Sequence, residues 1–238
     1  MIINWKRPKN VKRIVEAFHD QSETDRKIVL VDCAPHKRYT PDRETLRLCD
    51  EVFRWRHDLS PASRFVAGFM HNDCKYTYMH DDDAIPGTRT LELYKTWASK
   101  LKEEYSVLGV QGRNFSIKNR AYVKGRIDLI DDLTKVDTTI RFHWTRTQDF
   151  GAILDFKWKI INEYPRDTEV LREDDLLLNV AIQQRTGKPA YLVKPPDSSY
   201  SSREQDVKSK DAHSDRDFHY RNRDRFVDIA LNLGWARP

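Results

Sequence analysis

Apolar and polar positions follow two rhythms along this chain, and the rhythms set its expected elements. Met1-Ile-Ile-Asn4 is a short apolar run suited to a first strand, and Trp5-Lys6-Arg7-Pro8 breaks it. Val11, Ile14, Val15 and Phe18 then recur with helical spacing, which predicts a helix from Pro8 to about Asp20. Pro8 suits the first turn of that helix, where a missing N–H is harmless. Lys27-Ile-Val-Leu-Val-Asp32 is continuously apolar, the mark of a strand covered on both faces. Strand, helix, strand in so short a span is a βαβ unit, so a parallel sheet is expected.

Further on, a short helix is expected within Pro41 to Cys49 and a third strand at Glu51 to Trp55. Ser60 as N-cap and Pro61 as first residue open a helix through Met70. Lys75 to His80 reads as the fourth strand, Thr88 to Lys102 as a helix and Tyr105 to Val110 as the fifth strand. Residues 112–136 show no clear period. Thr138 to Thr145 alternates like a strand, and Ile153 to Glu163 reads as a helix. Asp174 to Arg185 is a helix stopped by Gly187, and Ala190 to Val193 a late strand. Residues 197–217 are almost wholly polar, a surface loop or disordered lid, and Phe218 to Leu233 forms a terminal helix. The expectation is one α/β domain over 1–238, with a mixed, mostly parallel sheet flanked by helices. It divides into 1–110 and 111–196, followed by a mobile loop and terminal helix at 197–238.

Composition narrows the partners. A 33% charged fraction with mean hydropathy of -0.77 is polar, yet six Trp, ten Tyr and ten Phe argue against disorder. The net charge of +5 suits an anionic ligand, but the basic residues are scattered, which lowers the nucleic-acid reading. Three cysteines, Cys33, Cys49 and Cys74, have no metal spacing and read as free thiols of a reducing compartment. With no signal peptide and no membrane-length apolar run, a soluble cytoplasmic protein is expected; a Golgi lumen placement would require a removed anchor.

The chemistry gathers at Asp81-Asp82-Asp83, which follows the fourth strand and is closed by Ile85-Pro86-Gly87. Three adjacent carboxylates repel unless solvated or neutralised by a cation. A cluster at a strand's C-terminal end lies where open α/β sheets bind ligands. Oxygen donors there suit a hard divalent ion that also holds a phosphate. Asp32, also at a strand end, either accepts a hydrogen bond from a base or ribose or simply caps a turn. Lys6, Arg7 and Arg64 lie near the same strand ends, where a diphosphate needs positive charge. Arg172-Glu173-Asp174-Asp175 opens the most regular helix. The helix dipole accounts for its acids, and a general base or cation stabiliser accounts for them equally. His219, Arg221 and Arg223 follow the polar loop and either close over a phosphate or form a solvated helix face.

In order along the chain, several stretches resemble GT-A glycosyltransferases, and among them the exostosin-like transferases. Asn4-Trp5-Lys6-Arg7 resembles the family's first-strand signature, and Leu59-Ser-Pro-Ala-Ser-Arg64-Phe65 its Leu-x-x-Arg-Phe stretch. His80-Asp81-Asp82-Asp83 resembles its aspartate motif, and Asp174-Asp175-Leu-Leu-Leu-Asn179 its later acidic helix. The stretch from Gly187 to Pro196 resembles the strand that follows. The resemblance implies a nucleotide-sugar donor, usually a UDP-sugar, with Mn²⁺ (or Mg²⁺) bridging its diphosphate to Asp83. It implies that Asp81 and Asp82 touch the ribose or the metal shell, that Asp81 is the second metal-side carboxylate, and that Asn4, Lys6, Arg7, Asp32 and Arg64 contact the nucleotide. Asp175, with Asp174 beside it, matches the catalytic carboxylate, and His219 and Arg223 belong to the closing segment. Asp58 stands where the family has Asn, with one extra residue before the arginine. Arg141-Phe-His-Trp-Thr-Arg146 replaces a Gly-containing acceptor-side segment, so the sugar and acceptor do not transfer.

The implied reaction moves a sugar to a hydroxyl of a glycan or glycoconjugate acceptor, with no nucleic acid as partner. The metal and arginines would neutralise the leaving diphosphate, and the loop would exclude water. The alternatives are a two-metal nuclease or phosphotransferase built on Asp32, Asp81 and Asp83, and a non-catalytic nucleic-acid binder using Trp55, Trp97 and Trp144.

Overall fold

The computed structural model describes residues 1–238 except 35, 56–60, 71, 72, 126, 128, 130 and 205–215. Asp58, the Ser60 cap, the start of the Leu-x-x-Arg-Phe stretch and most of the polar loop therefore lie outside the described residues.

Eight strands form the central sheet: β1 (Ile2–Asn4), β2 (Val29–Asp32), β3 (Glu51–Arg54), β4 (Tyr76–His80), β5 (Leu108–Gly109), β6 (Leu133–Val136), β7 (Phe142–Arg146) and β8 (Ala190–Val193). Their order across the sheet is β6-β8-β5-β7-β4-β1-β2-β3. β1 runs parallel to β2 and β4, β2 to β3, and β8 to β5, whereas β7 is antiparallel to β4 and β5, and β6 to β8. The sheet is mixed and mostly parallel, as expected. The βαβ opening holds in register, with Ile2 opposite Leu30 and Asn4 opposite Asp32.

Among the described residues seven α-helices flank it: α1 (Pro8–His19), α2 (Arg43–Arg47), α3 (Arg64–Met70), α4 (Thr90–Lys100), α5 (Phe150–Glu163), α6 (Asp174–Thr186) and α7 (Arg216–Asn232). Successive residues of a strand point to opposite faces. Tyr78 accordingly packs with Val11, Ile14, Leu93 and Tyr94 of α1 and α4. Its neighbour Met79 packs with Phe65, Ile153, Leu177 and Phe226 of α3, α5, α6 and α7. Pro8 sits at the start of α1, and α6 ends at Gly187, whose φ of 65° is the left-handed value a glycine accepts freely.

The single strand expected over Thr138 to Thr145 is two. Thr138–Thr139 pairs with Gly112–Arg113 in a separate ribbon, and β7 begins at Phe142. The break is at Arg141, whose φ of 69° is left-handed and cannot continue a strand. The stretch over 112–136 lacks a clear period because it is spent on short ribbons, including Phe115–Ser116 against Ala121–Tyr122, and on β6. The fifth strand shrinks to Leu108–Gly109, although Tyr105 to Val107 are also buried.

After β8 the chain returns to the aspartates. Arg203 and Glu204 pair antiparallel with Ile85 and Ala84, directly after Asp83. Nearby, Arg89 N–H donates to Ser199 O at 2.8 Å, and the Arg89 guanidinium lies 4.4 Å from the Tyr200 ring centre. Among the described residues no helix is long and apolar enough to cross a membrane.

Candidate active site

The C-terminal ends of β1 and β4, the start of α3, the N-terminus of α6 and one face of α7 meet at a carboxylate-rich centre. Arg64, the first residue of α3, is its hub. Its side chain is only 2% exposed. Nη1 donates to Asp81 Oδ1 at 2.8 Å, Nη2 donates to Asp174, and Nη2 lies 3.9 Å from Asp175 Oδ1. Burial works against the guanidinium's charge, but the three carboxylates raise its pKa further.

The aspartates divide the work unequally. Asp82 is buried, and both its oxygens are taken: Trp5 N–H donates to Oδ2 at 2.8 Å and Arg7 Nη1 to Oδ1 at 2.5 Å. Asn10 Nδ2 donates to its carbonyl at 3.0 Å, so Asp82 fastens the turn after β1 and the first turn of α1 to the end of β4. Burial raises its pKa against the pull of Arg7. Asp81 keeps a quarter of its side chain exposed, yet desolvation pushes its pKa to about 8; Arg64 opposes this, and Asp175, Asp174 and Asp83 add to it. Asp83 Oδ2 pairs with Arg141 Nη2 at 2.6 Å, while its Oδ1 is buried without a partner.

At the N-terminus of α6 the carboxylates again differ. Burial raises Asp174 although Arg64 opposes it. For Asp175 burial is outweighed by the His143 hydrogen bond and by His143, Arg223 and Arg64, which hold it well below the usual carboxylate range. His143 Nε2 stands 2.8 Å from Asp175 Oδ1, and Arg141 N–H reaches the same oxygen at 3.3 Å. The buried Glu173, next to them, accepts from Arg223 Nε at 2.8 Å and Asn222 Nδ2 at 3.2 Å, and lies 2.9 Å from His219 Nδ1. Arg223 also donates to Tyr122 Oη at 2.9 Å and lies over that ring. His219 and Arg223 are thus joined to α6 through Glu173. Beside them is a crevice of about 420 Å³ lined by Lys124, Tyr220, Arg221 and Asp224.

The remaining expected residues sit on the β1 to β3 side. Asn4 Nδ2 donates to Asp32 Oδ1 at 2.7 Å and to Tyr39 O at 2.9 Å, and Arg54 Nε reaches Asp32 Oδ2 at 3.1 Å. Lys6 Nζ lies 5.1 Å from the Trp5 ring centre. Sequence reasoning places no role on His143, Arg141 or Tyr122, and treats Glu173 only as one acid of a run. The left-handed backbone at Arg141 carries no sequence signal outside glycine and asparagine, and a buried histidine inside an alternating strand reads like any core residue.

One pattern unites both sides. Among the described residues, nine buried side-chain polar atoms lack a partner, and five of them are Asn4 Oδ1, Arg7 Nε, Trp55 Nε1, Arg64 Nε and Asp83 Oδ1. Those five belong to the strand ends and helix start named above. Buried polar atoms are normally satisfied, so these five are hydrogen-bonding capacity that the described residues do not use. Among the described residues no three His, Cys, Asp or Glu side chains form a ready metal cluster.

Comparison with known proteins gives the fold a counterpart. The chain is similar to Staphylococcus aureus TarS residues 1–349 in complex with UDP, at TM-score 0.59 and 16% identity, over 100% of this chain and 66% of that one. The fold is the GT-A glycosyltransferase fold. A second S. aureus TarS structure aligns over 82% of this chain and 36% of that one, at 16% identity and TM-score 0.49. The chain thus spans less than two thirds of either. No family model matches it, and no curated protein does.

Proposed function

We propose that the chain is a nucleotide-sugar glycosyltransferase that moves a sugar, from a UDP-sugar first of all, to a hydroxyl of a glycan or glycoconjugate. The observation that carries the reading is the gathering of unpartnered buried polar atoms at the C-terminal ends of the strands, next to Arg7, Arg64 and Asp83. The likeness in fold to a protein captured with UDP supports the choice of nucleotide. Kinship with exostosin-like transferases is part of the proposal and rests on the ordered motifs.

Asn4 and Asp32 would face the base and ribose, and Arg7 and Lys6 the phosphates. A Mn²⁺ or Mg²⁺ ion fits the site on the chemistry of one atom. Asp83 Oδ1 is a buried anionic oxygen with no partner in the chain. Hard ions of this kind bind through one or two carboxylates, several waters and the substrate's phosphates. A three-carboxylate cluster is therefore unnecessary, and Asp83 with Asp81 would suffice. Bound there, the ion would supply charge neutralisation to the departing diphosphate.

The chain's own residues do the rest. Arg64, itself only 2% exposed, adds fixed positive charge where negative charge would develop. Asp175 is held ionised beside Arg223 and Arg64, which suits it to face a cationic sugar ring and makes it a weaker base for the acceptor's proton. Glu173 anchors the helix that brings Arg223 to the site.

Calorimetry with UDP, with and without Mn²⁺, and hydrolysis of a panel of UDP- and GDP-sugars test the reading. Metal-dependent binding and turnover of one donor are expected. Failure of every nucleotide sugar to bind in the presence of metal would overturn it.

A further inference from the structure

We propose that His143, Thr139 and Asn179 form a positioning chain that locks the Asp175 carboxylate through Oδ1 and presents Oδ2 alone to the reacting groups. The inference rests on the reading of Asp175 as the carboxylate of the transfer reaction.

The chain is continuous. Asn179 lies one helical turn beyond Asp175 on α6, and its Nδ2 donates to Asp175 O at 2.8 Å and to Thr139 Oγ1 at 3.2 Å. Thr139 Oγ1 is 2.7 Å from His143 Nδ1, and His143 Nε2 is 2.8 Å from Asp175 Oδ1. A carboxylate only accepts, so the imidazole proton belongs on Nε2. Nδ1 is then an acceptor and takes the Thr139 hydroxyl hydrogen, while that hydroxyl accepts from Asn179. Every donor points the same way, and the series leaves α6 at residue 179 and re-enters it at residue 175.

The environment makes the lock rigid. Thr139, His143 and Asn179 are each 0% exposed. Thr139 N–H also donates to Asn179 Oδ1 at 3.1 Å, and Asn179 Nδ2 reaches Thr139 O at 3.2 Å, so the amide cannot turn over without losing both. His143 is held in β7 opposite Met79, on the strand that ends at the aspartates. Arg141 N–H adds a second donor to the same Oδ1 at 3.3 Å. Among the described residues no hydrogen bond reaches Oδ2, which lies 4.0 Å from Arg223 Nη2. Three fully buried polar side chains leading to a partly exposed carboxylate do not improve on an apolar core for stability; their gain is a unique geometry. The arrangement explains the spacing of Asp175 and Asn179: an amide four residues on is the one that reaches back to the same turn.

The experiment compares wild type with His143→Phe and His143→Gln. Phe keeps the ring and removes the donor; Gln can restore an N–H near the position of Nε2. With the donor that wild type turns over, kcat of His143→Phe is expected to fall on the order of 100-fold, the effect of misplacing a reacting group by about 1 Å. KM for the donor and the affinity for UDP stay near wild type, and His143→Gln regains at least about tenfold of the lost kcat. Equal kcat in His143→Phe, a KM that rises as kcat falls, or no rescue by Gln would overturn the proposal. A second measurement needs neither turnover nor a variant core. The ¹⁵N spectrum of the wild-type imidazole should show the proton on Nε2, and the signal should move in Asp175→Asn. A proton on Nδ1, or an unmoved signal, overturns the proposal even where His143→Phe fails to fold. If wild type turns over no nucleotide sugar, the functional reading fails while the imidazole spectrum still decides the lock.

Discussion

Arg64 and Asp174 are 110 residues apart in sequence and directly hydrogen bonded in the buried centre of the site. Through Asp81 and Asp174 the guanidinium ties the β4 aspartates to the N-terminus of α6. Removing one partner of a buried ion pair leaves the other uncompensated. Arg64→Ala should therefore lose roughly 3–5 kcal/mol of stability, read from urea unfolding of the purified protein.

Asp83 offers a buried oxygen without a partner and one ion pair, to an Arg141 side chain that keeps 22% exposure. Asp83→Asn should leave the melting temperature close to wild type. It should weaken Mn²⁺-dependent UDP binding and reduce turnover on the order of 100-fold or more, as loss of a preorganised charge does elsewhere. Calorimetry and donor hydrolysis together check both halves.

Arg141 combines a left-handed backbone with a cation on Asp83. Arg141→Gly relieves a conformation that costs an L-residue roughly 1–2 kcal/mol. It also removes the competitor for the Asp83 carboxylate. Mn²⁺ should bind the variant more tightly than wild type, with no loss of melting temperature; a metal titration followed by thermal melts decides it.

The pH dependence follows from Asp81. Its folded pKa of about 8 lies above the ordinary carboxylate value, because burial and the other aspartates disfavour its charge. The folded state then binds the proton more tightly than the unfolded chain. The stabilisation is full below the ordinary carboxylate range and is lost as pH rises through about 8. Without metal, Asp81→Asn should melt above wild type at pH 9 and show no such advantage at pH 5. Mn²⁺ added to wild type near pH 7 should release a proton, visible as a heat that changes with the buffer's ionisation enthalpy.

Much of this was legible in the chain. The βαβ opening, the Gly187 stop and the terminal helix follow from local periodicity, and β2 is buried along its whole length as its apolar run implies. The aspartate triplet, Arg64 and the Asp174-Asp175 pair meet in one centre, which their spacing alone could only suggest. What stayed hidden depends on long-range contacts. Asp82 looks like its neighbours in sequence, yet it is consumed by Arg7 and the Trp5 amide. His143 sits in an alternating strand and shows its role only once α6 packs against it. The strand order, with β7 between β4 and β5, is set by tertiary pairing that no local pattern records.

Gly87 has a bearing on the site that its distance conceals. A methyl group there would overlap the carbonyl of Ser199 and crowd the carbonyl oxygen of Ser201, both backbone atoms. Even alanine would have to prise the returning segment away from Arg89 and from the hem of two residues sewn beside Asp83. On the proposed function, a substitution touching no ligand would then present as a defect in donor handling, and a screen for inactive variants would find it among the aspartates' own phenotypes.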